Sequence, residues 1–368
     1  MSDGTDTQTR RDVLKAGVGV AAGLAATGAP AALAKAPGKF RVAVTGDFES
    51  LSMKLVPWNT LGEDAEVVAF TKPFGGERET VRALRDFDAV TLMHERIPLS
   101  GAMLGQLPRL KFIVFSGNRN ETLDDAAAAA RNIIVCKSSP NFDVPRDAPG
   151  GESPSELAVA LLLGCTWQTG PATALIRQGG WAFRPGVPLR GKTLGILGYG
   201  GIGRPVARVG VALGMRVLAF DRSLTDETAR AENVSRADLD TLLRQSDVVS
   251  IHLPLTPATR GMIGAPQIAQ MKEGVILINT ARAPIVAEQP LLDALRTRKI
   301  AMAGLDVYWE EPLPAHHPLK QLPNVVMTPH IGYATEETMA VRYRGLLDTL
   351  VAYRQGNIVG RYVPNAAR

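Results

Sequence analysis

Short runs of β-branched and aromatic residues recur along this chain without the in–out alternation of a strand that has one wet face. FRVAVTG (40–46), EVVAF (66–70), DAVTLM (88–93), KFIVFSG (111–117) and NIIVCKS (132–138) form a first series. KTLGILGYGGIG (192–203), RVLAFD (216–221), DVVSIHLP (247–254), GVILINT (274–280), MAGLDVY (302–308) and VVMTPH (325–330) form a second. A strand that is apolar on both faces belongs to a parallel sheet covered by helices on both sides. Helical stretches such as 77–86 and 121–131 lie between the runs. Each series therefore predicts an α/β domain built on an open parallel sheet. No residue-level repeat relates the two.

ESPSELAVALLLGCTWQTGPATALIRQGGW (152–181) breaks the rhythm. Ser153 as N-cap, Pro154 at the first helical position and Glu156 three residues after the cap make a capping box. A long apolar helix is predicted to at least Trp167, with a second helical stretch to Gln178, bridging the two domains. The stretch 335–356 predicts one amphipathic helix ending at Gly356, a natural C-cap that lets the helix return to the first domain.

Residues 8–37 read as an address. Arg10 and Arg11 precede an apolar run from Ala16 to Ala34, and Ala32-Leu33-Ala34 is a small-x-small cleavage signature. The order resembles a twin-arginine signal, which exports folded proteins, with the mature chain starting at Lys35. The run is weakly hydrophobic for a span, and no other segment reads as crossing a membrane. The expected location is the periplasm, or the cytoplasm if the signal is not used. An exporter of folded proteins can carry an enzyme with its cofactor already held.

At roughly 150 residues per domain, the remainder holds two domains. The full sequence, with 45% hydrophobic and 21% charged residues, is ordinary for a globular protein. The net charge of +5 suits acidic substrates, but no Lys/Arg block points to nucleic acid. Cys136 and Cys165 each sit in an apolar run and read as buried thiols. His316 and His317 lack further ligands at matching spacing, so no metal is expected. His94, in LMHERIP after a strand of the first series, reads as an ordinary loop histidine, with a place facing the cleft as the alternative.

Gly198, Gly200 and Gly203 form G-x-G-x-x-G between a buried strand and the helical pattern RPVARVGVALG, the context a dinucleotide fingerprint requires. The glycines serve a tight turn, backbone approach to a pyrophosphate, and close helix–strand packing. The helix N-terminus offers N–H groups to phosphate. Asp221 ends the next strand, 18 residues after Gly203. A carboxylate there accepts from ribose hydroxyls and repels a 2′-phosphate, favouring NAD over NADP. Arg222, adjacent, softens that preference.

INTARAPIV (278–286), GLDVYWEEPLP (304–314) and VVMTPHIGYAT (325–335) each follow a predicted strand. Arg282, Asp306, Glu311 and His330 thus share the carboxyl edge of the second sheet, where open parallel sheets bind ligands. Hydride transfer next to a carboxylate suits them. A 2-hydroxy acid loses its hydroxyl proton as hydride leaves carbon, and histidine is the natural acceptor. Glu311 is the candidate partner that fixes the tautomer. Arg282 is the candidate for a forked grip on the substrate carboxylate.

Residues 38–358 resemble the D-isomer-specific 2-hydroxyacid dehydrogenase family. LGYGGIG, HLPLTPATRGMI, LINTARAPIV, GLDVYWEEPLP and NVVMTPHIG carry the resemblance, in order. It implies two doubly wound α/β domains, Rossmann- and flavodoxin-like, with a cleft between them. The substrate domain would comprise 38–145 plus 335–368 and the NAD-binding domain 150–334, after a signal of 1–34. It implies catalytic Arg282, Glu311 and His330. It implies cofactor contacts from Gly198, Tyr199, Gly200, Gly201, Ile202, Gly203, Asp221 and Arg222. Further contacts would come from His252, Leu253, Pro254, Thr259, Thr280, Ala281, Arg282, Asp306, His330 and Gly332, with Asp306 near the nicotinamide amide. Substrate contacts would come from Gly117, Asn118, Arg119, Arg282 and His330, and a homodimer is expected.

There are departures. SGNRNETLD (116–124) replaces a glycine-rich loop, and Arg119 there offers a second cation for a larger or doubly anionic substrate, or else pairs with Glu121. Tyr333 stands where a small residue is common and narrows the pocket. The leading expectation is an NAD-dependent dehydrogenase of a small D-2-hydroxy acid. The alternatives are a catalytically silent dinucleotide sensor, or a relative acting on another small anion such as phosphoglycerate or formate.

Overall fold

The computed structural model describes residues 38–117, 119–138, 151–182 and 185–362. The leader reading of residues 1–34, with Arg10 and Arg11, lies outside the described residues, as do Asn118 and the stretches 139–150 and 363–368.

Two all-parallel sheets organise the chain. The first has β1 (Phe40–Thr45), β2 (Ala65–Ala69), β3 (Ala89–Leu92), β4 (Phe112–Phe115) and β5 (Ile134–Lys137), in the order β2-β1-β3-β4-β5. The second has β6 (Thr193–Leu197), β7 (Arg216–Phe220), β8 (Val234–Arg236), β9 (Val248–Ile251), β10 (Val275–Asn279), β11 (Ile300–Leu305) and β12 (Val325–Met327). Its order is β12-β11-β10-β9-β6-β7-β8. β3, β4, β6, β9 and β10 are buried at every residue, as strands covered on both faces must be. β8 was not foreseen: it has three residues, two of them the exposed Ser235 and Arg236, and lies at a sheet edge.

Each sheet has a switch point where successive connections leave to opposite sides: between β1 and β3 in the first, between β6 and β9 in the second. Crevices for ligands open there, beyond the carboxyl ends of the strands. The loops after β1 and β3 carry Glu49, His94 and Arg96, and those after β6 and β9 carry the glycine loop and His252.

The bridging helix is Ser153–Trp167, packed on β10, β11 and β12 with Leu161, Leu162 and Cys165 buried. The capping box does not form. Glu152 is the N-cap and makes no side-chain cap bond, and its carbonyl accepts from the Ser155 and Glu156 amides. Ser153 is instead buried, its hydroxyl without a partner. Gln168 adopts φ 50° and ends the helix, so Thr169–Arg177 is a separate helix, bent by 62° from the first. Among the described residues, no single helix is long and apolar enough to cross a membrane.

The final helix, Glu336–Arg354, is capped by the Thr335 hydroxyl. It lies on the first sheet, burying Met339, Tyr343, Leu346, Leu347 and Leu350 against Val42, Val44, Phe112 and Val114. Cys136 and Cys165 are buried free thiols, and burial pushes them up to about 11 and about 12.

Candidate active site

The glycine loop divides its labour by geometry. A Cβ on Gly198, where φ is 97°, would meet the His252 carbonyl at 2.8 Å, and one on Gly203 would lie 2.0 Å from the Gly198 oxygen. Both positions exclude any side chain. A Cβ on Gly200 meets nothing within 4 Å. That glycine opens onto space at the start of the helix Gly203–Ala212, where a phosphate finds backbone N–H groups. Ser155 Oγ donates to the Ile202 carbonyl at 3.1 Å, tying the bridging helix to this loop.

Asp221 Oδ2 accepts the Tyr199 amide at 2.9 Å, and Oδ1 accepts the Ser223 amide and hydroxyl at 2.7 Å each. Partial burial opposes ionisation, but these bonds and nearby Arg222 hold the carboxyl below its usual range. Asp221, Arg222 and Arg236 line a cavity of about 360 Å³ with Phe220, Asp226, Ala237 and Asp238, placed for the adenosine end of a dinucleotide. On the glycine loop, the Tyr199 hydroxyl donates to Glu232 at 2.7 Å, and Arg204 Nε reaches the same carboxylate at 2.9 Å.

His252 faces inward. Its Nε2 lies 2.8 Å from Ser250 Oγ, and burial pushes the ring down to about 3, so it is neutral. Its contact with the glycine loop is by main chain, with Leu253. Thr259 Oγ1 donates to the Pro254 carbonyl at 2.7 Å and closes that loop.

Glu311 and His330 meet from the loops that follow β11 and β12. Glu311 accepts the Tyr308 amide on Oε1 at 2.9 Å and lies 2.6 Å from His330 Nδ1 through Oε2. An ionised carboxylate only accepts, so the Nδ1 proton points to Glu311 and Nε2 is left for substrate. Asp306, 1% exposed, accepts from Thr328 Oγ1 at 2.6 Å and from the Ile331 and Gly332 amides at 2.8 and 3.0 Å. Burial raises its pKa in spite of those bonds. Its visible work is to hold the loop that carries His330, itself at φ 55°.

Arg282 follows β10. Buried Asn279 shapes its turn, donating to the Arg282 carbonyl at 3.1 Å and accepting the Ala281 amide at 3.0 Å. The Arg282 guanidinium is exposed, with Nη1 on the Ala281 carbonyl at 2.8 Å. The Thr280 hydroxyl is buried without a partner.

The first sheet contributes the opposite wall, and here the geometry favours the cleft-facing alternative for His94. His94 is not an ordinary loop residue: its ring stands 4.3 Å from that of Tyr333, which is 5.9 Å from His330. Its backbone is left-handed, φ 53°. Its amide donates to Ser116 Oγ at 3.0 Å and its carbonyl accepts from Asn120 at 2.8 Å. Burial, then the charges of Arg342, His330, Arg96 and Arg282, hold it well below the usual histidine range.

Arg96 grips Glu49 with both terminal nitrogens, at 2.6 and 2.7 Å, and its Nε donates to the Tyr333 hydroxyl at 2.7 Å. The Arg96 and Arg342 guanidinium carbons each lie 5.3 Å from the Tyr333 ring centroid. Arg119 stands 3.8 Å from Glu121 with its side chain 74% exposed, so the described arrangement gives it a local partner and not a place in this cluster. Gly117 lies beside His94, while Asn118 is outside the described residues.

Sequence reading therefore missed Glu49, Arg96, Arg342, Asn279 and Ser155, and gave His94 a place at the cleft only as its second reading. The carboxyl-end rule, applied to the first series of strands as to the second, would have found Glu49, His94 and Arg96.

Comparison with known proteins agrees with this geometry. The family described as "D-isomer specific 2-hydroxyacid dehydrogenase, NAD binding domain" matches residues 159–332. A glyoxylate reductase of Aeropyrum pernix is 39% identical over 295 residues, 76% of this chain and 84% of the relative. A glycerate dehydrogenase of Methylorubrum extorquens is 37% identical over 274 residues, 72% and 82% of the two chains. The crystal structure of a phosphoglycerate oxidoreductase from Vibrio cholerae superposes with a TM-score of 0.76 at 27% identity, covering 86% of this chain and 99% of that one.

Proposed function

The chain belongs to the D-isomer-specific 2-hydroxyacid dehydrogenase family and is an NAD-dependent oxidoreductase, and from that premise we propose that His330, Glu311 and Arg282 interconvert a small D-2-hydroxy acid and its 2-oxo acid. The observation that carries the proposal is the 2.6 Å contact between His330 Nδ1 and Glu311. It leaves Nε2 as the proton-exchanging atom at the mouth of the cleft.

The residues present suit NAD. Gly200 leaves the room a pyrophosphate needs, Asp221 is kept ionised beside a ribose-sized cavity, and Gly332 would meet Asp306 at 3.2 Å if it carried a Cβ. When bound, NAD supplies or accepts the hydride. Arg282 then holds the substrate carboxylate in a two-point grip, which fixes the carbon that exchanges hydride. His330 Nε2 gives a proton to the 2-oxo oxygen in reduction and takes it from the 2-hydroxyl in oxidation. Glu311 stabilises the charged imidazole between those states. The activities that name the relatives, on glyoxylate and glycerate, support a substrate of two or three carbons.

The test is steady-state reduction of glyoxylate, pyruvate and 3-hydroxypyruvate with NADH. His330→Asn is expected to lower kcat by about 10²–10⁴ with NADH binding retained. An unchanged kcat overturns the assignment.

The assembly and the address belong to the same proposal. Trp167 and Ile176 on the two helices and Trp181 just beyond them are 61%, 59% and 89% exposed, apolar surface suited to a second copy in a homodimer. Sedimentation velocity tests that. For the leader, small molecules released by denaturing the exported protein decide between NAD carried out in the fold and NAD added later. About one NAD per chain supports export of the holoenzyme.

A further inference from the structure

The loop after β3 holds a histidine that the proposed reaction does not use. His94 sits at the switch point of the first sheet, across Tyr333 from His330. Several observations set it apart from a core histidine. Its backbone takes the left-handed region at φ 53°, a conformation that clusters at sites where the strain serves function. Its amide and carbonyl are both bonded, to Ser116 and Asn120, so the strained turn is held in place. Its Nε2 is shielded from water and has no hydrogen-bond partner. Its Nδ1 lies beside Gly117, where a Cβ would approach to 3.5 Å. Glycine at 117 keeps the space beside Nδ1 open.

The neighbours restrict what belongs in that space. Arg96 is engaged by Glu49, the Gly46 carbonyl and the Tyr333 hydroxyl. Arg282 is assigned to the substrate carboxylate. Burial first, and then the cations around His94, favour the neutral ring. A neutral imidazole offers one donor and one acceptor, and a hydroxyl can match either one.

We propose that His94 is a specificity-determining residue that hydrogen-bonds a hydroxyl on C3 of the substrate, selecting 3-hydroxy-2-oxo acids and their 2,3-dihydroxy acid products. This rests on the reading of Arg282 and His330 above, which orients C1 and C2 and so leaves C3 for the His94 wall. Tyr333 is a positioning residue: two guanidinium groups and the Arg96 bond fix its ring, and the ring fixes His94.

The experiment measures kcat/KM of the full chain with NADH on 3-hydroxypyruvate and on pyruvate, which differ by the C3 hydroxyl alone. His94→Asn keeps a residue that tolerates the left-handed backbone but shortens the reach. The ratio of the two kcat/KM values is expected to fall at least tenfold in His94→Asn, mostly because the hydroxylated substrate binds more weakly and its KM rises. His94→Gln, longer and with donor and acceptor, is expected to recover part of the ratio. An unchanged ratio in a variant that still binds NADH overturns the role of His94 and leaves the acid–base assignment standing. A wild-type enzyme that reduces neither substrate overturns both.

Discussion

Glu311 holds His330 through one carboxylate oxygen, 2.6 Å from Nδ1, and its own backbone neighbour Tyr308 through the other, at 2.9 Å. The second bond matters as much as the first, because it stops the carboxylate from swinging with the imidazole. Glu311→Gln retains the size and an acceptor but removes the charge that stabilises protonated His330. Its kcat is expected to fall about 10–100-fold, below the loss for His330→Asn, with the KM for NADH unchanged. Stopped-flow and steady-state rates check this. A loss confined to KM would show that Glu311 acts in binding.

The glycine loop predicts two different failures from the same substitution. Gly203→Ala puts a Cβ 2.0 Å from the Gly198 oxygen, so the loop must move and stability falls. Gly200→Ala meets nothing within 4 Å, so the melting temperature stays close to wild type. The methyl group at 200 points where the pyrophosphate approaches, so the Kd for NADH is expected to rise at least tenfold. Differential scanning fluorimetry and NADH fluorescence separate the two effects.

The proposed role of Asp221 in cofactor choice is testable in a cavity that three aspartates and two arginines line. Arg222 and Arg236 line the same cavity with Asp226 and Asp238, and the Asp221 carboxylate, held low, is the one at the end of β7 placed to repel a 2′-phosphate. Asp221→Ser removes that charge and keeps a hydroxyl. The NADH:NADPH ratio of kcat/KM is expected to drop by about 10-fold or more, with the arginines supplying a phosphate partner. Rates with both cofactors at fixed 2-oxo acid measure it.

Both sheets were legible in the sequence because their strands are continuous apolar runs, and the switch point of the second was marked by its glycines. β8 was not: three residues with exposed Ser235 and Arg236 carry no periodic signal. The capping box failed because tertiary demand outweighs a local motif. Ser153 is buried with its hydroxyl unpartnered, Ser155 ties the first turn to the glycine loop, and Glu152 takes the cap position instead. Arg282, Glu311 and His330 were visible through loops that follow strands. The same rule reaches Glu49, His94 and Arg96 but not what they meet: Glu49 and Arg96 form an ion pair across 47 residues, and His94 packs on the ring of Tyr333, far along the chain. Such partnerships are made by topology, which a linear pattern does not carry.

Acid stability follows from the two neutral histidines. An unfolded chain protonates histidine near 6.5. In the folded chain burial pushes His252 down to about 3, and His94 is held well below 6.5 by burial and by Arg342. Between those values the unfolded state binds protons that the native state does not, so stability falls as pH falls. The contribution is fully present above about 6.5 and is lost progressively toward 3. Asp221 and Asp247, both held low, lose their contributions only below about 3.8, at the acid end of this window, while Asp306, held high, shifts the balance the other way. At about 1.4 kcal/mol per pKa unit, the stake for the histidines is a few kcal/mol. The melting temperature is therefore expected to fall by several degrees between pH 7 and pH 5, before the carboxylates titrate. His252→Gln keeps a partner for Ser250 and removes a titrating ring, so its melting temperature should depend less steeply on pH over that interval. A slope equal to wild type would mean that the His252 ring is protonated in the fold, against a burial that leaves its Nδ1 with no partner.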